Sequence, residues 1–230
     1  MNNLIKCHYS YLISKTTVVI LGFVLVVHLF GCIIIGKDCC DFSWQIQANL
    51  YYLESNLFFM KTTNILVVVF LYAYPFTTKQ DNYSMLIITS NVSRMKYFST
   101  KILTIALFLL SFLWVEVFIY TMIGGIYYPN VVVDYRSLLL FIRLYLLMLY
   151  YGFIALMLIQ VFDNIYMSII PFALHTIATI FNDGQEESRI IDMMLPTMNT
   201  NQLLDDAHQI IFLIVVLLFV NTIIYHKRDF

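Results

Sequence analysis

The sequence has few charged residues: Asp, Glu, Lys and Arg make up only 12% of the 230 residues, whereas 61% are hydrophobic. The mean hydropathy is +0.81. Soluble globular domains have about 25% charged residues, so this composition excludes an ordinary water-soluble fold. We expect an integral membrane protein that forms one transmembrane domain over residues 1–230.

The motifs of common enzymes are also missing. The sequence contains no Gly-x-x-x-x-Gly-Lys-Ser/Thr loop for a nucleotide, no His-Glu-x-x-His for zinc and no Gly-x-Ser-x-Gly for a nucleophile. Glu186-Glu187-Ser188-Arg189 loosely resembles the paired glutamates of CAAX-type intramembrane proteases, but Ile191 stands where that family needs an arginine. We therefore expect no catalytic residue, metal site or cofactor in this chain.

Glycine, proline and cysteine are scarce, with seven, four and four residues. No Gly-x-x-x-Gly occurs, so the commonest signal for close helix dimers is absent. A disulfide between the adjacent Cys39 and Cys40 would be strained, so free thiols are expected. Pro171 predicts a bend about one turn before His175. Pro196 is expected to stop a short re-entrant helix in the loop 182–208.

Six apolar blocks approach the length of about 20 residues that a helix needs to cross about 30 Å of hydrocarbon. The predicted spans are 17–35, 57–74, 102–123, 137–159, 165–181 and 209–225. Before them, an amphipathic helix over residues 3–15 is expected to lie at the membrane surface, with Leu4, Ile5, Tyr9, Leu12 and Ile13 on its apolar face. The predicted fold class is an all-α integral membrane protein.

The loops on the two sides of the predicted spans differ in charge. The two ends of the chain, the loop 77–101 and the loop around Asp163 contain eight basic and three acidic residues, whereas the other three loops contain four basic and ten acidic residues. Positive residues accumulate on the cytoplasmic side. Both termini of this multi-pass protein are therefore predicted to be cytoplasmic, at the cell membrane.

A layer of polar residues is predicted inside the spans, six or seven residues from their outer boundaries and roughly 10 Å deep. Its members are His28, Asn64, Glu116, Arg143 and His175. An isolated charge in hydrocarbon costs on the order of 2.5–3.5 kcal/mol, so such residues should pair. Glu116 and Arg143, on consecutive spans, form the predicted ion pair. The layer either closes the outer end of a pathway or is a structural pair with unrelated polar neighbours.

The segment 77–101 between the second and third predicted spans is amphipathic. Its apolar residues Met85, Ile88, Val92 and Met95 repeat at three and four residues, as on one helix face, and polar residues occupy most other positions. This pattern predicts a helical segment on the membrane surface. The polar residues of 89–93 hydrogen-bond locally, so two short helices that meet at a bend before Arg94 are expected.

The same segment carries a family resemblance. Asn91-Val92-Ser93-Arg94, followed by Lys101, is similar to the Pro-x-Ser-Arg and later lysine of ABC-2 type permeases of ABC transporters. Asn82 stands at the glycine position of that family and Asn91 at its proline, and the usual upstream glutamate is absent. The six spans, the amphipathic start, the large loop between spans five and six and the ending 225–230 also resemble this family.

The resemblance implies that residues 82–96 form a cytoplasmic coupling helix, which binds a separate P-loop ATPase subunit that holds ATP and Mg. The implied interface residues are Asn82, Met85, Ile88, Asn91, Val92, Arg94 and Lys96. For Arg94 and Lys96, membrane topology alone is an equal explanation of the positive charge. A second permease chain and membrane lipid are the other implied partners, and no nucleic acid is expected.

The resemblance further implies an ATP-driven exporter. Small permeases rich in Ile and Asn resemble those of low-GC Gram-positive bacteria that export amphipathic or antimicrobial peptides, so a peptide is the expected substrate. Efflux of a drug, lipid or ion is the alternative within transport. A membrane immunity or scaffold protein without transport is the alternative outside it.

Overall fold

The computed structural model describes residues 2–40, 45–76, 93–127, 135–182 and 207–227. These residues form helices, with no strand among them. In chain order the α-helices are α1 (Asn2–Leu12), α2 (Lys15–Cys39), α3 (Gln45–Ala73), α4 (Arg94–Tyr127), α5 (Tyr135–Phe162), α6 (Ile170–Asn182) and α7 (Ala207–Lys227). Two 3-10 helices, Tyr74–Phe76 and Ile165–Ile169, follow α3 and precede α6.

Five helices, α2, α3, α4, α5 and α7, are long and apolar enough to cross a membrane. Large apolar side chains are exposed along α2 and α7, including Phe23 at 68% and Phe212 at 66% exposure, as expected for surfaces that face hydrocarbon. The chain is thus a multi-pass membrane protein with an all-helical fold. The sixth predicted span is not confirmed, because α6 has only 13 residues and is shorter than a membrane-crossing helix.

The helices pack around a central pair, α3 and α5, with α2 against α3 and α4, α1 against α4, and α7 against α5. Gly152 of α5 allows the central pair to approach closely, because a Cβ atom there would lie 2.5 Å from Tyr72 Cε2 of α3. Gly36 has the same effect for α2 and α4, since its Cβ would lie 2.5 Å from Tyr127 Cδ2. Missing side chains at these positions set the helix spacing.

The starts of α2 and α4 are set by serine caps. Ser14 Oγ accepts a hydrogen bond of 3.3 Å from Thr17 N, and Ser93 Oγ accepts one of 3.4 Å from Lys96 N. Helix α4 therefore begins at Arg94, eight residues before the predicted third span. Arg94 and Lys96 belong to the first turn of this long helix, and not to a separate coupling helix. Residues 82–92 of the predicted coupling helix lie outside the described part of the chain.

The turn between α5 and the following 3-10 helix contains the only non-glycine residue with positive φ among the described residues, Asp163 at 51°. Asn164 Oδ1 then accepts a hydrogen bond of 2.9 Å from Tyr166 N and caps the 3-10 helix. Pro171 is the second residue of α6, where a missing N–H is tolerated. The predicted bend within one helix is thus a change of helix type before Pro171. The predicted re-entrant helix lies in residues 183–206, outside the described ranges.

Candidate functional site

The first of two candidate regions, here called the end cluster, lies at the end of the bundle where α1 packs. Its members are His8, Pro75, Phe76, Tyr97, Phe98, Lys101 and Tyr225. Lys101 is only 4% exposed, and its Nζ donates a hydrogen bond to the carbonyl oxygen of Pro75. The same ammonium lies 4.2 Å from the ring centroid of Phe76 and 5.2 Å from that of Tyr97. A carbonyl and two aromatic faces thus stabilise a buried cation.

Stacked rings extend the end cluster to the last helix. The ring centroids of Phe76 and Phe98 are 5.8 Å apart, and those of Phe98 and Tyr225 are 4.3 Å apart in a stacked arrangement. At the same end, Arg94 Nη1 donates to the backbone oxygen of His226, 3.5 Å away, near the end of α7. The cluster therefore joins the 3-10 turn after α3, the first turns of α4 and the end of α7.

His8 attaches α1 to the end cluster. It is 6% exposed, and its ring centroid lies 4.9 Å from that of Tyr97. Burial, and secondarily the positive charge of Lys101, lower the pKa of His8 from 6.5 to about 4. Helix α1 covers most of the predicted segment 3–15, and its position at a membrane surface stays a prediction. The side that packs on the bundle carries His8 and Leu12, of which Leu12 belongs to the predicted apolar face, whereas Tyr9 and Ile13 of that face are 44% exposed.

The second region, here called the polar cluster, lies inside the bundle between α2, α3 and α4. Its members, all with 0% exposure, are His28, Cys32, Asn56, Asn64 and Glu116. The Asn64 amide Nδ2 donates to Glu116 Oε2. Cys32 Sγ donates to Asn56 Oδ1 at 3.0 Å and lies 3.5 Å from His28 Nε2. These bonds connect α3 to α4 and α2 to α3.

Three atoms of the polar cluster have no hydrogen-bond partner among the residues that the structure describes. They are Glu116 Oε1, Asn64 Oδ1 and His28 Nδ1. Buried polar atoms are nearly always hydrogen-bonded, so three such atoms in one cluster require an explanation. Within the described part of the chain, no group of three His, Cys, Asp or Glu side chains is arranged to hold a metal ion.

The predicted ion pair does not form: Glu116 bonds to Asn64 and not to Arg143. The reason lies in helix packing, because α4 contacts α2 more extensively than it contacts α5, the helix of Arg143. The structure does bring together His28, Asn64 and Glu116 of the predicted layer. His28 also lies beside the backbone of Glu116.

The other two members of the predicted layer lie elsewhere in the bundle. Arg143 is buried on α5 at 4% exposure. His175 on α6 is 1% exposed, with its ring centroid 5.0 Å from that of Tyr151, and Lys61 of α3 is its electrostatic neighbour. The predicted layer is therefore not one group: His28, Asn64 and Glu116 lie together, whereas His175 lies beside Tyr151 and Lys61.

Sequence reasoning missed several of these residues. Lys61 is one of the four basic residues that the charge comparison assigns to the other three loops, yet it is 6% exposed inside α3. Its position within the apolar run 57–74 was a usable signal. Asn56 and Asn64 are eight residues apart and so lie close to one face of α3, which their spacing could have shown. His8 gave no such signal, because its burial depends on how α1 packs against α4.

The predicted ATPase interface is described only in part. Asn82, Met85, Ile88, Asn91 and Val92 lie outside the described residues. Arg94 is half-buried and donates to His226, and Lys96 is exposed on the first turn of α4. Of the two described interface residues, only Lys96 is exposed.

Comparisons with known proteins identify no relative. No family model matches this sequence, and no curated protein or solved structure matches it significantly. The functional interpretation therefore depends on the residues and contacts of the chain itself.

Proposed function

We propose that this chain is the transmembrane subunit of an ATP-driven exporter of the ABC-2 type, which forms the substrate path and couples to a separate ATPase subunit. In this proposal the 3-10 helix Ile165–Ile169 and α6 together form the sixth span. With rises of about 2.0 Å and 1.5 Å per residue, their combined length is about 30 Å, the thickness of the hydrocarbon layer. Both termini are then cytoplasmic, in the cell membrane.

The end cluster is the observation that carries the proposal, because it anchors both sides of the segment 77–92. Before the segment, Pro75 accepts a hydrogen bond from Lys101, and Phe76 contacts Phe98. After it, α4 begins at Arg94 and contains both Lys101 and Phe98. A partner that pushed on this segment would move the end of α3 and the start of α4 together. Such coupled motion is what an ATPase must produce in a transporter that alternates between two states.

The proposed interface with the ATPase is residues 82–96, and ATP and Mg are bound by that partner. The contact from Arg94 to His226 gives Arg94 a role within this chain, whereas exposed Lys96 is available to a partner. A second permease chain, identical or related, completes the path, and the exposed apolar faces of α2 and α7 contact lipid or that second chain.

The proposed substrate is an amphipathic or antimicrobial peptide. The chain contains 17 Tyr and 19 Phe residues, and those that line the proposed path would give it a lipophilic, amphipathic surface for such a substrate. Efflux of a drug, lipid or ion is the alternative within transport. A non-transporting immunity or scaffold protein would need no ATPase at all, so recovery of a partner separates these possibilities.

The test begins with affinity purification of the full chain from its native host in mild detergent. The proposal expects a P-loop ATPase to be recovered with it in stoichiometric amount. Recovery of a homo-oligomer without any ATPase would overturn the transporter assignment and support the immunity or scaffold alternative.

Charge variants then test the interface. Lys96→Glu is expected to lower coupled ATPase activity by at least about fivefold, while the folded protein is retained. Lys6→Glu, at an exposed position on α1 at the same end of the bundle, is the matched control and should leave activity unchanged. Arg94→Glu should lower activity as well, and Arg94→Gln shows how much of that loss comes from the His226 contact. If Lys96→Glu and Lys6→Glu both had the activity of the wild-type protein, Lys96 would not belong to the interface.

A further inference from the structure

The paired side chains of Glu116 and Asn64 each have one oxygen atom without a hydrogen-bond donor in the described structure. Asn64 Nδ2 donates to Glu116 Oε2, which leaves Glu116 Oε1 and Asn64 Oδ1 as two buried oxygens without a donor in the described structure. Both residues have 0% exposure. An ionised carboxylate has no hydrogen to offer an amide oxygen, whereas a protonated carboxyl has one O–H donor. One added proton would therefore provide the missing hydrogen bond between these side chains.

Among the described residues, no cation near Glu116 replaces that proton. The groups that face it are His28 and Cys32 from α2 and Asn64 from α3. The buried cations of the described bundle are Lys61 on α3, Arg143 on α5 and Lys101 at the far end of α4, and none of them acts on Glu116. His28 has an unpartnered Nδ1 but bonds through Nε2 to the Cys32 thiol. A carboxylate here would be an isolated charge in a low-dielectric interior, which is strongly unfavourable.

We propose that Glu116 and Asn64 form a proton-binding site inside the bundle, in which Glu116 is a neutral carboxylic acid. Asn64 Nδ2–H donates to Oε2, and the proton on Oε1 is donated to Asn64 Oδ1, so that acid and amide form a cyclic pair. The proton comes from water and returns to water, and no electron is transferred. The site is a property of this chain alone and does not depend on the exporter assignment.

The location of the site links protonation of Glu116 to the packing of the helices. The acid–amide pair connects α3 to α4, and release of the proton would leave a carboxylate that water must solvate. Release therefore requires the three helices α2, α3 and α4 to separate locally and admit water. Binding of the proton therefore favours the arrangement in which α2, α3 and α4 are packed together, and loss of the proton favours their separation.

The test is infrared difference spectroscopy of the purified chain in lipid nanodiscs at neutral pH. The proposal expects the carbonyl band of a protonated carboxylic acid, which shifts when water is replaced by deuterated water. The band should be lost completely in Glu116→Gln. It should remain in Glu54→Gln, which removes a less buried carboxyl from α3 and is the matched control.

A second variant keeps the proposal testable if Glu116→Gln fails to fold. Asn64→Leu removes the acceptor of the proposed O–H bond, so the acid band should move to higher frequency without loss of intensity. A protein without a protonated carboxyl at neutral pH would overturn the proposal. A band that persists in Glu116→Gln, or that does not move in Asn64→Leu, would also overturn it.

Discussion

The end cluster and the polar cluster both bury an ionisable side chain, and they stabilise it in opposite ways. The Lys101 ammonium lies against the Pro75 carbonyl and the rings of Phe76 and Tyr97, all of which stabilise a positive charge. Glu116 receives one hydrogen bond, from Asn64, and has a second oxygen without a partner in the described structure. The first arrangement suits a fixed anchor, whereas the second suits a group whose charge changes.

The largest expected effect concerns the charge of Lys101. Lys101→Glu would place a carboxylate against the Pro75 carbonyl and two ring faces, which repel it. An uncompensated buried charge costs about 3–5 kcal/mol of unfolding free energy. The measurement is unfolding in mixed micelles, followed by near-UV circular dichroism.

Lys96→Glu is the control for Lys101→Glu, because Lys96 is exposed on the same helix and its reversal should change stability by less than about 0.5 kcal/mol. Similar stability of the two variants would show that Lys101 is not an anchor, and the contrast between the clusters would disappear.

A smaller effect is expected in the polar cluster. Asn64→Leu removes the only hydrogen bond to Glu116 within the described structure and should lower the unfolding free energy by about 1–3 kcal/mol. Glu116→Gln should cost less than about 1 kcal/mol, because an amide can form the same cyclic pair with Asn64. The same unfolding experiment measures both. A larger loss for Glu116→Gln than for Asn64→Leu would mean that the negative charge itself stabilises the bundle.

The docking of α1 is expected to depend on pH. The pKa of His8 is lowered from 6.5 to about 4, so the released helix binds a proton that the docked helix excludes. Docking is therefore fully stable above about pH 6.5 and weakens as the pH falls toward 4, up to about tenfold per unit in the docked-to-released ratio. Amide hydrogen exchange of residues 2–12, corrected for the intrinsic rate at each pH, measures this ratio.

His8→Phe provides the control for the pH experiment, because phenylalanine retains an aromatic ring beside Tyr97 but binds no proton. Protection of α1 in this variant should not change between pH 4 and 6.5. Identical pH profiles for the variant and the wild type would assign the effect to another group.

The smallest expected effect concerns Arg94. Its guanidinium donates to the His226 carbonyl at the end of α7, where helix carbonyls lack partners within the helix and a positive charge is favourable. Arg94→Gln should lower the unfolding free energy by about 0.3–1 kcal/mol, and less at high salt. Lys96→Gln should have no measurable effect, and a loss equal to that of Arg94→Gln would show that general surface charge is responsible.

The sequence predicted which apolar segments form helices, but not where those helices begin and end. The apolar runs 17–35, 102–123 and 137–159 predicted α2, α4 and α5, because hydrophobicity over a membrane thickness is a strong signal. The helices are longer than the runs, since helices continue beyond the hydrocarbon where polar residues are tolerated. Helix α3 begins at Gln45, twelve residues before its predicted start, in a stretch that contains Gln47, Asn49 and Glu54.

The partner of Glu116 could not be predicted from the sequence. Opposite charge and similar depth favoured Arg143, because consecutive spans are often neighbours. The actual partner depends on which helix α4 packs against and on its rotation about its own axis. A single sequence reveals neither the helix that α4 packs against nor the rotation of α4 about its axis. The correct prediction was therefore only that a buried Glu should pair with a neighbour.

One helix, α3, carries both Asn64 and Lys61, which face different neighbours: Asn64 contacts Glu116 of α4, and Lys61 acts on His175 of α6. Because an α-helix turns as a rigid rod over three residues, a rotation of α3 cannot change one contact and keep the other. A rotation of α3 transmitted through the 3-10 turn that Lys101 contacts would therefore change both contacts at once. The contacts of Asn64 and Lys61 therefore limit how far α3 can rotate.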